Sequence, residues 1–233
     1  MNESEKKTVK RNLLTSALCL IMLLLMLLSS TLAWFTDSKH NVNTMVAGKI
    51  SISQEETDKD GRPFQNDVFY MMPSQTVVKT VTVKNDGNQP CYVRTLFAFE
   101  DSTATKVVEK LTITGKDGQI VIPGVTDTAA KIQFTYNGTL YTVGYCVYNG
   151  QLAENGTFVP LVSVGLAEDT GNDWTDAVAG KYELLVLSQA CQVAGLDNLG
   201  ENGAESPSAA LDKAFYAIDA AHCEIWFTSI LNG

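Results

Sequence analysis

Two kinds of hydrophobic pattern divide the chain. A mostly apolar run from Leu13 to Leu28 follows four basic residues, and no charged residue occurs from Asn12 to Thr36. From Lys49 onward, short segments alternate between apolar and polar residues and are separated by Gly, Asn, Asp and Pro. The first pattern is typical of an export signal. The second is typical of β-strands joined by turns.

The alternating segments predict a domain made almost entirely of strands. Strands are expected at Lys49–Ser53, Val77–Lys84, Cys91–Glu100, Phe158–Leu166 and Tyr182–Val193, the last being long enough for a central strand. Two hairpins are expected, over Leu111–Ile122 and over Ile132–Tyr148. Each contains an Asp-Gly or Asn-Gly pair, which supplies the positive φ that a tight turn needs. Regular strands with turns between them predict a sandwich or a barrel.

The C-terminal part departs from this pattern. Ser206 can cap a helix, Pro207 suits its first position, and Ala209–Ala221 continues it with apolar residues on one side. This predicts one short helix. The tail His222–Ile230 then predicts a last strand, because apolar residues alternate there. The role of the tail, His222–Gly233, stays open.

The N-terminal segment predicts where the chain is processed. Thr31 and Ala33 place small side chains at the two positions that a signal peptidase accommodates, so the mature chain is expected to begin at Trp34. The alternative is an uncleaved membrane anchor, since the apolar run is long enough to span a bilayer as a helix. The expected organisation is a signal peptide (1–33), a polar leader (34–47) and one domain (48–233).

Three segments carry a family resemblance. The first runs from Trp34-Phe35-Thr36-Asp37 to Met45-Val46-Ala47-Gly48, just before the first strand. The second is Met72-Pro73-Ser74-Gln75 with the strand and the Asn85-Asp86-Gly87 turn after it, and the third is Ser188–Gly195 with the helix that follows. Together they resemble the TasA/camelysin family of secreted bacterial proteins, whose signals are cut by a SipW-type peptidase. Met45 and Ser74 depart from the family pattern, which has an aromatic residue and a glycine there.

The resemblance implies a fold and a function. It implies an all-β, jelly-roll-like β-sandwich with one short helix near the C-terminus, preceded by a signal-peptide helix. It also implies an extracellular protein, since family members include the main protein fibre of biofilms. A freed leader with apolar side chains at Trp34, Phe35, Val42, Met45 and Val46 can add a strand to the open sheet edge of a neighbour. Repeated head to tail, this contact forms a filament. The alternative is that the leader is only a tail.

Charge restricts the partners. Without the signal, 13 basic and 24 acidic residues remain, so the mature chain has a net charge of −11. This argues against nucleic acid, whose phosphates require a basic surface. The expected partners are therefore other copies of this chain and, during export, a signal peptidase. Contact with a membrane is expected only through the uncleaved signal.

No pattern predicts catalysis or a cofactor. The two histidines, His40 and His222, are far apart, and no zinc-binding pair occurs. Asp58-Lys-Asp-Gly61 and Asp169–Asp173 resemble parts of a calcium loop, but they lack its full spacing and fit turns better. We therefore expect no catalytic residue, no metal ligand and no cofactor. The camelysin branch of the family, described as metallopeptidases, makes a surface peptidase the enzymatic alternative.

Four cysteines remain after removal of Cys19 with the signal: Cys91, Cys146, Cys191 and Cys223. Disulfides are possible in an exported protein, and four cysteines allow three pairings. Buried free thiols are the alternative, because each cysteine lies among apolar residues. The sequence thus supports three functions: a self-assembling matrix or surface protein, a monomeric binding or adhesive module, and a surface peptidase.

Overall fold

A computed structural model describes residues 3–35, 49–64, 73–102, 106–170, 182–193 and 206–232, with side chains of the first segment described only to residue 23. The chain forms two compact units, Met1–Val46 and Ala47–Gly233. The described residues include one N-terminal helix, eight strands, a short 3-10 helix (Val107–Lys110) and two C-terminal helices.

The first unit contains helix α1, Glu3–Phe35. Its sequence is rich in Leu, which favours helix, and two glutamates in the first turn complement the positive end of the helix dipole. Side chains 3–23 are exposed, including the apolar Leu13, Leu14 and Leu18. Over the described segments of the chain, no helix combines the length and apolarity needed to cross a membrane.

The second unit is a sandwich of two antiparallel four-stranded sheets. Its strands are β1 (Ile52–Thr57), β2 (Thr76–Asn85), β3 (Cys91–Asp101), β4 (Leu111–Thr114), β5 (Gln133–Tyr136), β6 (Thr139–Val147), β7 (Thr157–Leu166) and β8 (Leu184–Gln192). The first sheet has the order β1-β2-β7-β4, and the second has the order β5-β6-β3-β8. The neighbours in both sheets are mostly far apart in sequence. The predicted all-β, jelly-roll-like sandwich is confirmed.

The main core lies between the two sheets. Val81 and Val83 of β2 face it, as the alternation of that strand predicts, and both are fully buried. From the opposite sheet, Val93, Phe97 and Phe99 of β3 enter the same core, so their predicted common face is confirmed. Burying each of these large side chains contributes about 1.5–3 kcal/mol.

A second core covers the outer face of the β5-β6-β3-β8 sheet. The two C-terminal helices, α2 (Pro207–Phe215) and α3 (Ala220–Leu231), lie there. Leu96 and Ala98 of β3 face α3, whereas their neighbours in sequence face the other sheet. This strand is therefore buried on both faces, and nearly all of its residues are apolar or internally paired.

The predicted last strand is wrong, because its residues form helix α3. Asp219 caps this helix through Oδ1, which accepts the backbone N–H of His222 at 2.9 Å. Cys223 and Phe227 are one turn apart and fully buried, so the buried face follows the helical period and not the alternation of a strand. The predicted single helix is also shorter than expected and ends at Phe215.

One predicted hairpin is confirmed and the other is wrong. β5 and β6 pair across Asn137 and Gly138, whose φ angles of +48° and +85° match a tight hairpin turn. The segment Leu111–Ile122 is not a hairpin. Its first arm, β4, pairs with β7, whereas Val121 pairs with Tyr145 in the other sheet. The Asp-Gly turn here carries the chain from one sheet to the other.

Two further strand predictions need correction. β8 lies at a sheet edge and not at its centre, since its only strand partner in the described residues is β3. β1 begins at Ile52, three residues later than the expected start at Lys49. Ile50 and Ile52 nevertheless both pack against the main core, so their predicted common face is confirmed.

Candidate functional site

The residues predicted for processing and assembly fall mostly outside the described part. Thr31, Ala33, Trp34 and Phe35 lie in the last turns of α1, where only the backbone is described. Val42, Met45 and Val46 lie outside the described residues. Cleavage after Ala33 and strand donation by the leader stay predictions. The acceptor for such a strand can be sought among the sheet edges.

Side chains from the opposite sheet occupy the edge of β8. Gln54 of β1 donates from Nε2 to the Val186 carbonyl at 3.4 Å and accepts the Ser188 hydroxyl at 2.7 Å. Lys79, itself buried, donates to the Leu184 carbonyl at 3.4 Å. These contacts link the two sheets. They also place polar side chains where an added strand would need to bind.

The edge of β4 is different. The backbone N–H of Ala167 donates to the Lys110 carbonyl at 2.9 Å. Counted from Lys110, every second residue along β4 therefore bonds to β7 through its backbone, and the residues between them do not. Leu111 and Ile113 therefore direct their backbone groups away from β7. The Leu111 N–H bonds to the Val108 carbonyl, whereas Ile113 directs both groups toward the side on which the described residues place no further strand. This geometry suits an added strand.

A cleft with both aliphatic and polar lining residues lies beside this edge. Its volume is about 370 Å³. Two separate segments line it, and the lining residues are Val108, Leu111, Ile113, Gly115, Gly118, Gln119, Ile120, Ile122, Val125 and Thr126. Ile120 and Ile122 belong to the main core, and Leu111, Ile113 and Val125 are only partly buried against it. The cleft is thus an opening of the sandwich core next to a strand edge.

The sequence did not reveal this cleft. Reading Leu111–Ile122 as a hairpin paired its two arms with each other, whereas the structure separates them and leaves the cleft between them. One signal was available. Gly115 and Gly118 have backbone neighbours or a side chain within 3.0 Å of where a Cβ would lie, so both glycines are needed for close packing in the crossing segment.

The contacts of His222 are a hydrogen bond and ring stacking, and no group of metal-ligating side chains surrounds it among the described residues. Its ring Nδ1 lies 2.8 Å from Asp219 Oδ2, and its ring stacks between those of Tyr216 and Trp226. Among the described residues, no three His, Cys, Asp or Glu side chains are grouped so as to hold a metal ion. His40 lies outside the described residues.

The first calcium-like segment is a turn. Asp58 Oδ1 accepts the backbone N–H groups of Asp60 at 2.8 Å and of Arg62 at 2.9 Å, and Gly61 has a φ of +74°. These bonds are typical of an Asx turn, and they occupy the carboxylate oxygen. The second segment, 169–173, is described only to residue 170.

The four cysteines of the domain are free and buried in the structure. Burial raises the pKa of all four thiols, including that of Cys91. The pKa reaches about 11 for Cys146 and Cys191 and about 12 for Cys223. A raised pKa keeps a thiol protonated and unreactive at neutral pH. The structure therefore agrees with the interpretation of these residues as small apolar core side chains.

Comparison with known proteins gives structural neighbours only. No family model matches the chain, and no curated protein matches it. A family 3b carbohydrate-binding module from the biomass sensoring system of Clostridium clariflavum has a TM-score of 0.32 and 9% identity, covering 58% of this chain and 89% of the module. The unique CBM3- of Hungateiclostridium clariflavum has a TM-score of 0.31 and 11% identity, covering 59% and 92%. Scores this low carry no inference about function, and the resemblance to the TasA/camelysin family stays a prediction.

Proposed function

We propose that the chain is an exported structural protein of the bacterial biofilm matrix or cell surface, without a catalytic role or a cofactor. In this proposal the leader 34–47 of one copy adds a strand to the next copy, which produces a head-to-tail homopolymer. The observation that supports it is the edge of β4, which no strand of the described residues covers, beside a cleft with an aliphatic part. The resemblance of the leader to the TasA/camelysin family supports it from the sequence.

The backbone of β4 presents hydrogen-bonding groups that can align an incoming strand. Ile113 directs its N–H and C=O groups to the open side, and the carbonyl of Leu111 points the same way. An extended segment can bond to these groups as a fifth strand of the β1-β2-β7-β4 sheet. Because a leader and an acceptor edge are different surfaces, the contact is head-to-tail, and where its rotation does not close a ring it continues as a filament.

The cleft offers a place for the apolar side chains of the leader. In an extended segment, alternate side chains point to one face, so Trp34, Val42 and Val46 share one face and Phe35 and Met45 share the other, and either set can be directed inward. Each large side chain that enters contributes about 1.5–3 kcal/mol. Two or three such side chains contribute about 3–9 kcal/mol in total, which together with the backbone hydrogen bonds must exceed the cost of association.

A substitution in the cleft tests this acceptor. Ile113→Thr keeps a β-branched side chain in β4 but places a hydroxyl in the cleft, and we expect the folded protein to stop polymerising. The matched control is Thr112→Val, which alters the exposed face of the same strand and should polymerise normally. Circular dichroism must show that both variants are folded. Polymerisation of Ile113→Thr at the wild-type rate would refute the β4 acceptor.

A monomeric surface-binding module is the second candidate. One observation favours it: an exposed, ordered aromatic side chain, Tyr216, lies far in sequence from the proposed acceptor. A mature protein that remains monomeric at high concentration would support this function in place of self-assembly. Casein cleavage that a chelator blocks would instead support the peptidase alternative.

A further inference from the structure

Tyr216 is unusual among the aromatic residues whose side chains the structure describes, because it is the one that is largely exposed (66%). It is also ordered by stacking. Its ring lies 4.8 Å from the ring of His222 at an interplanar angle of 5°, and His222 lies 5.7 Å from Trp226 at 26°. The three rings form a stack, and Tyr216 is its solvent-facing end.

The backbone of Tyr216 is strained. Its φ of +72° and ψ of +164° fall in a region that glycine adopts readily and a bulky residue does not. This residue links α2 to α3, where a glycine would fit with less strain. Strain of this kind persists where the surrounding structure imposes it and is concentrated at functional sites.

A buried arginine binds the backbone of Tyr216. Arg94 of β3, whose side chain is 1% exposed, donates from Nη2 to the Tyr216 carbonyl at 3.0 Å. Its other donors bind Asp212 Oδ1 at 2.6 Å and Gln189 Oε1 at 2.8 Å. The guanidinium also lies 5.5 Å from the centre of the Trp226 ring. A side chain of the sheet therefore fixes the backbone that carries the exposed ring.

The surroundings of the stack restrict the class of ligand. Asp219 and Asp212 have half-exposed carboxylates next to it, and hydrogen bonds from His222 lower the pKa of Asp219, so that it is ionised at neutral pH. These carboxylates and the net charge of −9 disfavour phosphates and nucleic acids. They can accept hydrogen bonds from hydroxyl groups. A flat ring with an apolar face and hydroxyls at its rim matches both features.

We propose that the Tyr216–His222–Trp226 stack binds a neutral sugar ring of an extracellular polysaccharide. The C–H face of a pyranose stacks on Tyr216, and its hydroxyls donate to the carboxylates of Asp219 or Asp212. A small cation is the less favoured ligand, because the three rings stack on one another and do not surround a space. This site is independent of strand donation, so either proposal can fail without the other.

Three variants of one residue test the site. Tyr216→Phe keeps the ring, whereas Tyr216→Leu keeps a bulky side chain under the same backbone strain but removes the flat face. Tyr216→Gly removes both the ring and the strain. The matched control is Ile230→Ala, which changes an exposed side chain of α3 about two turns after His222. Thermal unfolding of each variant reports on its fold.

Binding is measured by titration calorimetry of the purified protein with neutral β-1,4-linked hexaoses of glucose and of N-acetylglucosamine, and with choline as the cation probe. We expect wild type, Tyr216→Phe and Ile230→Ala to bind at least one hexaose with similar affinity. Tyr216→Leu and Tyr216→Gly should bind at least tenfold more weakly, and Tyr216→Gly should unfold at no lower a temperature than Tyr216→Leu.

Three results would overturn the proposal. The first is no binding of either hexaose by wild type up to about 10 mM, the limit of weak recognition. The second is equal binding by Tyr216→Phe and Tyr216→Leu, which would show that the aromatic face is not used. The third is binding of choline alone, which would assign the stack to cations.

Discussion

Replacing Phe227 by alanine tests whether the C-terminal helices complete the fold. Phe227 is fully buried on the inner face of α3, and its ring stacks on that of Phe134 in β5, with centroids 5.6 Å apart and an interplanar angle of 8°. It belongs to the core that covers the outer face of the second sheet. Alanine leaves a cavity there, which the surrounding sheet can fill only in part.

The magnitude follows from the burial. A buried Phe→Ala change lowers the free energy of unfolding by about 3–5 kcal/mol, and aromatic pairs contribute about 0.5–1.5 kcal/mol beyond buried area. A domain of this size has a total stability of about 5–15 kcal/mol. Phe227→Ala therefore removes a large part of the stability, although the residue lies in a tail that the sequence did not place.

Urea unfolding followed by circular dichroism measures this effect. The matched control is Ile225→Ala in the same helix, because Ile225 is 66% exposed and its loss should change stability by no more than about 0.5 kcal/mol. If Phe227→Ala unfolds at the same urea concentration as Ile225→Ala, then α3 does not pack on the sheet as described, and the second core is wrong.

Three further predictions concern the thiols, a turn and processing. At pH 8 the folded mature protein should react slowly with a thiol reagent and the unfolded protein should expose four thiols; fewer than four would reveal a disulfide. The pKa of Cys146 and of Cys223 rises from an ordinary 9.0 to about 11 and about 12 on folding, so above pH 9 the unfolded chain loses thiol protons that the folded chain keeps. The free energy of unfolding should therefore fall as the pH rises above about 9. A flat profile in this range would contradict buried thiols. Gly138→Val should lower the free energy of unfolding by about 1–2 kcal/mol because of the positive φ alone, since a Cβ at this position meets no atom within 4 Å. Asn137→Gly is the control and should not destabilise the protein. Equal effects of the two variants in denaturant titrations would refute this turn. Ala33→Arg should leave an unprocessed chain of higher mass in the membrane fraction, and secretion of protein of normal size would remove the assigned mature start.

The central strands could be predicted because local pattern and burial agree there. In β2, alternation places Val81 and Val83 in the core, and in the β5–β6 hairpin the Asn-Gly pair sets the turn. Each signal depends on residues close together in sequence. Tertiary packing did not need to overrule these signals, so the predicted elements and the observed ones coincide.

The tail could not be placed because its local pattern was ambiguous. Ile225 and Phe227 alternate like a strand, whereas Cys223 and Phe227 are spaced like a helix, and a short apolar segment fits both periods. The cap at Asp219 was the available signal for a helix. The surface that α3 covers, the outer face of β3, is visible only once the sheet order is known.

The cleft and the aromatic stack depend on contacts between distant segments. Arg94 and Tyr216 are 122 residues apart, and the arginine appears in the sequence only as the one basic residue of a mostly apolar strand. A buried charge in such a strand signals a specific partner, but not which one. The same limit applied to the crossing segment Leu111–Ile122, where a strong turn signal favoured the wrong pairing.

The most direct test of the central claim compares two purified chains, one starting at Trp34 and one starting at Gly48. Both retain all eight strands, so both should fold by circular dichroism. By size-exclusion chromatography and electron microscopy, the chain from Trp34 should form fibres, and the chain from Gly48 should remain monomeric at every concentration. Fibres of the same form from the chain starting at Gly48, or a chain from Trp34 that stays monomeric throughout, would contradict strand donation by the leader.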